Sequence, residues 1–236
     1  MTMDIEKTNT ITLSILEEAT SYHRWIFEKI KPYLKGDILE VGCGIGNLTS
    51  WLLGWGKVVA SDMNEDYLRL IEEKYQDHSN LKGVFIWDIQ QGPTKELLAS
   101  FDTIVCSNVL EHIGDDVSVL KHFHHLLSGE GRLILLVPAL KCLYNQLDKD
   151  LGHFRRYSKK ELVSKIEQSG FRILHLTYFN PFGILGWFFN GSILRRRILP
   201  QNQVKVFNKM VPLFLSLEKI IPNWVGQSLI VVGEKR

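Results

Sequence analysis

Residues 38–46 read Ile38-Leu39-Glu40-Val41-Gly42-Cys43-Gly44-Ile45-Gly46, an apolar run that passes directly into closely spaced glycines, and few folds accommodate it. Glycines let a strand end in a sharp turn and let the backbone approach a ligand with no Cβ in the way. The residues that follow, NLTSWLL, read as a helix, whose first turn offers unpaired N–H groups. The same alternation continues. KVVASD, GVFIWD, FDTIVCSN and RLILLVP are short runs, apolar on both faces and separated by helical stretches. Such strands belong to a parallel sheet covered on both sides. Right-handed crossovers then give a doubly wound α/β sheet. FRILHLTYF and QSLIVVGEK add a sixth and a seventh strand.

Helical signals frame this core. Ile11, Ile15, Leu16 and Ala19, then Trp25, Ile26, Phe27 and Ile30, recur at helical spacing over residues 10–34. Ser14 and Glu17 have capping-box spacing there, and Pro32 predicts the end of the region. A helix over residues 115–127 should stop at the turn Ser128-Gly129-Glu130-Gly131. Ser158 and Glu161 predict a helix that runs to Ser169 and is stopped by Gly170, and residues 139–157 before it read as a loop.

Composition narrows the functional classes. A chain of 236 residues, 45% hydrophobic and 23% charged, suits one domain. A net charge of +2 gives no reason to expect nucleic acid. The three cysteines, Cys43, Cys106 and Cys142, lie far apart, which argues against a disulfide framework or a zinc knuckle and predicts a reducing compartment. The opening MTMDIEKTNT lacks the basic and apolar regions of a signal peptide, so a cytoplasmic protein is expected. The longest uncharged stretch, residues 176–194, contains Asn180, Pro181, Gly183 and Gly186, a combination rare in a spanning helix.

Two nucleotide ligands compete for the glycine turn. A dinucleotide site wants G-x-G-x-x-G; Gly42 and Gly44 fit it, but the third position is Asn47 and Gly46 falls one residue early. The phrase LEVGCGIGNLT, followed in order by VVASDMN, VFIWDIQ, FDTIVCSNVLEHI and GEGRLILLVP, resembles the class I S-adenosylmethionine-dependent methyltransferases over residues 37–138. That resemblance implies a Rossmann-like, seven-stranded sheet with an antiparallel last strand. It also implies S-adenosyl-L-methionine as cofactor, S-adenosyl-L-homocysteine as its product, and no metal. It divides the chain into a helical lid over 1–35, a cofactor-binding core over 36–138 and a substrate side over 139–236.

Carried onto this sequence, the resemblance places Glu40, Gly42, Gly44 and Gly46 at the cofactor. Asp62 would hold the ribose hydroxyls, or else cap the next helix. Met63 would lie on the adenine, or else in the core. Asp88 would meet the adenine amino group, or else cap a helix, with Ile89 offering apolar contact and an N–H. Asn108, with Ser107 and Val109, would sit near the methionine part. His112, in a Leu110-Glu111-His112 stretch like the family's, is either a general base or a structural histidine; His153 is the second candidate base. Arg155, Arg156 and Tyr157 either bind an acceptor's phosphate, carboxylate or hydroxyls, or form an ordinary surface before a helix. LGHFRRYS resembles a segment in a subset of the family near glycan and lipid pathways. Tyr22, His23 and Arg24 form either a surface turn between helices or a lid over the cofactor. His122, His124 and His125 read as structural, and Asp148 and Asp150 lack a calcium pattern.

Residues 180–226 lengthen a connection that is usually short in that family. They hold Arg195, Arg196, Arg197, Lys205, Lys209 and Lys219 against one acid, Glu218, among many aromatic residues. This helical insertion reads as a cap or dimer contact, or as a lid or peripheral membrane element for an amphiphilic substrate. The expected reaction is methyl transfer to a small-molecule or amphiphilic acceptor, such as a glycan or lipid intermediate. A nicotinamide-dependent oxidoreductase and a non-catalytic docking adapter are the alternatives.

Overall fold

A computed structural model describes residues 5–93, 97, 100–218, 220 and 224–236. Seven strands form one sheet in the order β3-β2-β1-β4-β5-β7-β6. They are β1 (Ile38–Val41), β2 (Val58–Asp62), β3 (Leu81–Ile86), β4 (Phe101–Ser107), β5 (Leu127–Pro138), β6 (Phe171–Phe179) and β7 (Ser228–Lys235). The first five pair in parallel, whereas β7 runs antiparallel between β5 and β6. The doubly wound sheet with an antiparallel last strand is therefore present. Strand order reverses between β1 and β4, so their C-terminal ends open a crevice of the kind in which such sheets bind ligands.

Helices cover both faces. On one face α2 (Thr20–Ile30), α3 (Thr49–Leu53) and α9 (Gln201–Glu218) bury Trp25, Ile30, Leu52, Val211 and Phe214 against Ile38, Val58 and Ile230. On the other, α5 (Asp116–Leu126) and α7 (Lys159–Gln168) bury Leu120, Phe123, Leu162 and Ile166 against Leu39, Ile104, Leu133 and Val231. Between β2 and β3, α4 (Glu65–Tyr75) starts at Asn64, whose side chain accepts from the N–H groups of Asp66 and Tyr67.

Three local expectations change. The N-terminal stretch is two helices, α1 (Ile5–Glu17) and α2. Ser14 lies inside α1, and its hydroxyl donates to Thr10 O one turn back rather than capping. The glycine turn at 128–131 lies within β5 as a bulge: pairing with β4 passes from Phe101–Leu127 to Thr103–Arg132, and Glu130 takes φ +58°. Residues 139–157 include a short helix, α6 (Gln146–Asp150), started by Asn145 and closed by Asp148 accepting the Asn145 N–H. Asp148 is thus a capping acid in a buried place. The other predicted stop holds: Ser158 caps α7, and Gly170 follows it at φ +94°.

The insertion packs on the body of the protein. From α8 (Gly183–Phe188) the chain passes through a π turn into α9. Phe182 stacks on Phe214 at 4.2 Å, Trp25 Nε1 donates to Glu218, and Asn208 accepts the Tyr22 N–H. The insertion exposes the apolar Leu185, Phe188, Phe189, Ile193 and Val206 and the cations Arg195 and Lys209. No helix among the described residues is long and apolar enough to cross a membrane.

Candidate active site

The crevice is built first from the glycine turn. Gly42 and Cys43 donate their N–H groups to Ser61 O, which folds the end of β1 over β2. Gly42, Gly44 and Gly46 all have positive φ, from 52° to 91°. A Cβ on Gly42 would lie 2.2 Å from a Val109 methyl, so glycine is required there both by the turn and by the close approach of the residue after β4.

Two acids flank this turn. Asp62 ends β2, and its carboxylate accepts the Gly44 N–H at 2.9 Å and the Asn64 N–H at 3.0 Å. Burial raises its pKa, and these backbone donors oppose the shift. Each oxygen keeps a further lone pair for another donor. Glu40 is only 3% exposed, and among the described residues its Oε2 has no hydrogen-bond partner. Burial, with Asp62's charge adding to it, pushes the Glu40 carboxyl up to about 8. A buried acceptor without a donor is costly, so this site is chemically suited to a ligand that brings an ammonium or hydroxyl donor.

The other expected cofactor positions are spread around the same end of the sheet. Met63 stands 71% exposed at the rim rather than in the core. Asp88 accepts from Gln90 N–H and Gln91 Nε2, so it caps the turn after β3. The Ile89 side chain lies in the main hydrophobic cluster, with its carbonyl bonded to His122 Nδ1. Asn108 takes φ +54°, a costly conformation that only surrounding structure sustains, and its N–H is held by Leu136 O.

The glycine turn is covered by α1, not by the Tyr22-His23-Arg24 stretch. Leu13 packs over Gly44, its carbonyl accepts from Asn47 Nδ2, and Thr10 meets the Tyr67 hydroxyl at 2.6 Å. Tyr22 instead packs against Phe179 and Phe207, and His23 is buried, which drops it to about 4.

A second cluster lies just beyond β4. His112 and His153 meet edge to face at 4.7 Å. Burial, reinforced by His153, lowers His112 to about 3, so it is a neutral imidazole and a weak proton acceptor at neutral pH. His153 Nδ1 lies 2.9 Å from Asp148 Oδ1, and its Nε2 lies 3.9 Å from Glu111 Oε1. Glu111 is fully buried, and neither of its oxygens has a hydrogen-bond partner among the described residues. Burial carries its carboxyl up to about 7 against the pull of His153 and Arg156. Apart from its place beside His112, nothing in the residue pattern singles out Glu111, and Asp148 is marked only by the lack of a calcium pattern around it.

The expected acceptor-binding residues have protein partners instead. Arg156 is 2% exposed; its Nε donates to Asp148 at 2.9 Å, its Nη1 donates to Ala139 O, and its guanidinium covers the Trp187 ring. Tyr157 is fully buried and donates to Asp116 at 2.8 Å. Arg155 donates to the same Asp116 and to Gly114 O. These groups lash the segment after β5 to the turn after β4. Arg156 and Tyr157 turn inward rather than forming an ordinary surface, while Arg155 stays partly exposed, because Asp148 and Asp116 are buried acids that need cations and donors. Of the histidine group on α5, His122 serves Ile89 and His124 packs on Phe171.

Comparison with known proteins agrees with this geometry. Residues 39–133 match the family described as a methyltransferase domain. The chain is 24% identical over 176 residues to a ubiquinone biosynthesis O-methyltransferase of Glaesserella parasuis, covering 66% of this chain and 75% of that protein. It is 30% identical over 150 residues to nodulation protein S of Azorhizobium caulinodans, covering 61% and 66%. Among solved structures, an S-adenosylmethionine-dependent methyltransferase from Clostridium acetobutylicum superposes with a TM-score of 0.59 over 91% of each chain, at 14% identity. With the strand order, the glycine turn and its two acids, these matches show that the chain belongs to the class I S-adenosylmethionine-dependent methyltransferases.

Proposed function

We propose that this enzyme methylates an oxygen of a small, amphiphilic acceptor. The observation that carries the reading is the pair of acids about the glycine turn, because among the described residues Glu40 Oε2 lacks a donor of the kind S-adenosylmethionine would bring. Glu40 would take the cofactor's ammonium group and Asp62 its ribose hydroxyls, while Gly42, Gly44 and Gly46 leave room for the chain between them. Met63, Asp88 and Asn108 rim the adenine and methionine ends. The cofactor supplies an electrophilic methyl on sulfonium, and the leaving group is a neutral thioether. The chain's own work is to aim the acceptor oxygen in line with the methyl–sulfur bond and to exclude water. A hydroxyl acceptor gives up one proton as its new O–C bond forms and the S–C bond breaks. The low basicity of His112 makes it a poor sole recipient of that proton.

Oxygen is favoured as the acceptor atom by the relatives whose names specify O-methylation. An amphiphilic acceptor is supported by residues 183–218, which expose Leu185, Phe188, Phe189 and Ile193 and also carry exposed Arg195 and Lys209. Apolar groups together with cations suit the interface of an anionic bilayer. Titration of the purified chain with S-adenosylmethionine, S-adenosylhomocysteine and NADH tests the cofactor; tight NADH binding with neither of the others would overturn it. Phenols and amines, each with and without an alkyl tail, then test the acceptor by the mass of the methylated product. Preference for untailed amines would refute the reading, as would failure to sediment with phosphatidylglycerol vesicles for its membrane part.

A further inference from the structure

The Glu111, His112 and His153 cluster has a feature that methyl transfer alone does not require. Asp148 accepts from Arg156 Nε, the Asn145 N–H and Trp187 Nε1. With three other donors already on its two oxygens, Asp148 is the acceptor towards His153 Nδ1, which donates the hydrogen bond between them. The His153 Nε2 lone pair then faces Glu111 Oε1 across 3.9 Å, too far for a hydrogen bond. Glu111 has no other partner among the described residues, and the His112 ring lies alongside. Three electron-pair donors converge here, with Glu111 buried and His112 and His153 partly so.

From this we infer that Glu111, His112 and His153 bind a divalent transition-metal ion beside the methyl-transfer site. One ligand atom from each lies within 4.8 Å of the others. A tetrahedral ion with bonds of about 2.0–2.1 Å sets its ligands about 3.4 Å apart, so the widest separation must close by about 1.4 Å through side-chain rotation. Two histidines and one carboxylate suit zinc, cobalt or iron rather than magnesium or calcium. Asp148 holds His153 in the binding tautomer, as carboxylates behind metal-bound histidines do. Three protein ligands leave a coordination position for an outside oxygen. Resting on the methyl-transfer reading, the ion has a role: it takes the acceptor's hydroxyl oxygen as a ligand and lowers its pKa. The proton then leaves to water, and the oxygen arrives as an anion. The acceptor class narrows to molecules whose target hydroxyl can coordinate metal, such as a phenol with a neighbouring oxygen.

The test uses the full chain, stripped with chelator and titrated with Co²⁺ alone, without cofactor or acceptor. The expected result is one equivalent bound, with the visible absorption of a low-coordinate cobalt site that Zn²⁺ abolishes. Glu111→Gln and His153→Ala should each weaken binding more than 100-fold, and Asp148→Asn about 10–100-fold. His112→Ala serves if the more buried variants fail to fold, with the same expected loss. Absence of stoichiometric binding by the folded wild type, or binding that survives these substitutions, would overturn the proposal. S-adenosylmethionine titration of the metal-free protein is the independent arm. Its failure would sink the cofactor reading, while the cobalt result still decides the metal site.

Discussion

Glu40 stands near the end of β1 and Glu111 in the turn that follows the neighbouring β4, and each is a buried carboxylate with an oxygen that no described residue satisfies. Their surroundings differ. Glu40 faces a turn built from residues 42–64, where backbone N–H groups and Asp62 set the chemistry. Glu111 faces His153, itself held by Asp148, from a segment that lies some forty positions further along the chain. The first environment calls for an organic cation or a hydroxyl, the second for a metal ion or a proton. One sheet end thus holds two acceptor-rich places, and each takes its specificity from its neighbours rather than from the acid.

The largest expected effect bears on the second place. Arg156→Leu removes the cation from Asp148 and leaves a buried charge short of a partner, so unfolding free energy should fall by about 3–5 kcal/mol in urea titrations. Unchanged stability with a raised acceptor KM would instead return Arg156 to substrate binding and break the contrast.

Next comes Asp62→Asn, which on the proposed reading would lose charge-assisted hydrogen bonds to the cofactor's ribose. Affinity for S-adenosylmethionine should drop about 10–100-fold by calorimetry, at about 1.5–3 kcal/mol for such bonds. Cobalt binding at Glu111 should not change, and a joint loss would mean that the two places are not separate.

The last effect, read against pH, concerns Glu40. Its folded-state pKa is raised to about 8 by burial. The folded protein therefore holds a proton that the unfolded chain releases, and stability falls as pH rises from about 4.5 to 8. Glu40→Gln should accordingly raise the melting temperature of the cofactor-free protein at pH 8, by about 2–4 °C per kcal/mol relieved, and change it little at pH 4.5. A gain equal at both pH values would show that the carboxyl is not the cause.

The residues about Glu40 were legible because they are close in sequence: a strand, a turn that needs positive φ, and an acid ending the next strand. Even there the sequence left Asp88 open between ligand and cap, and the capping bonds are what the structure displays. The residues about Glu111 were only half legible. His112 and His153 drew notice as singletons, whereas the acid that joins them did not, since a carboxylate before a histidine looks like any surface pair.

What the sequence determined by itself was the alternation of apolar strands and helices and the glycine turn after Val41, because hydrophobic periodicity and the lack of a Cβ are properties of adjacent residues. What only the tertiary structure decided was direction. Arg156 and Tyr157 turn inward to Asp148 and Asp116, Ile89 enters the core, and α1 rather than the start of α2 covers Gly44. A loop side chain goes where a buried partner of opposite charge or missing hydrogen bond awaits it, and that partner is chosen by which distant segments the sheet brings together.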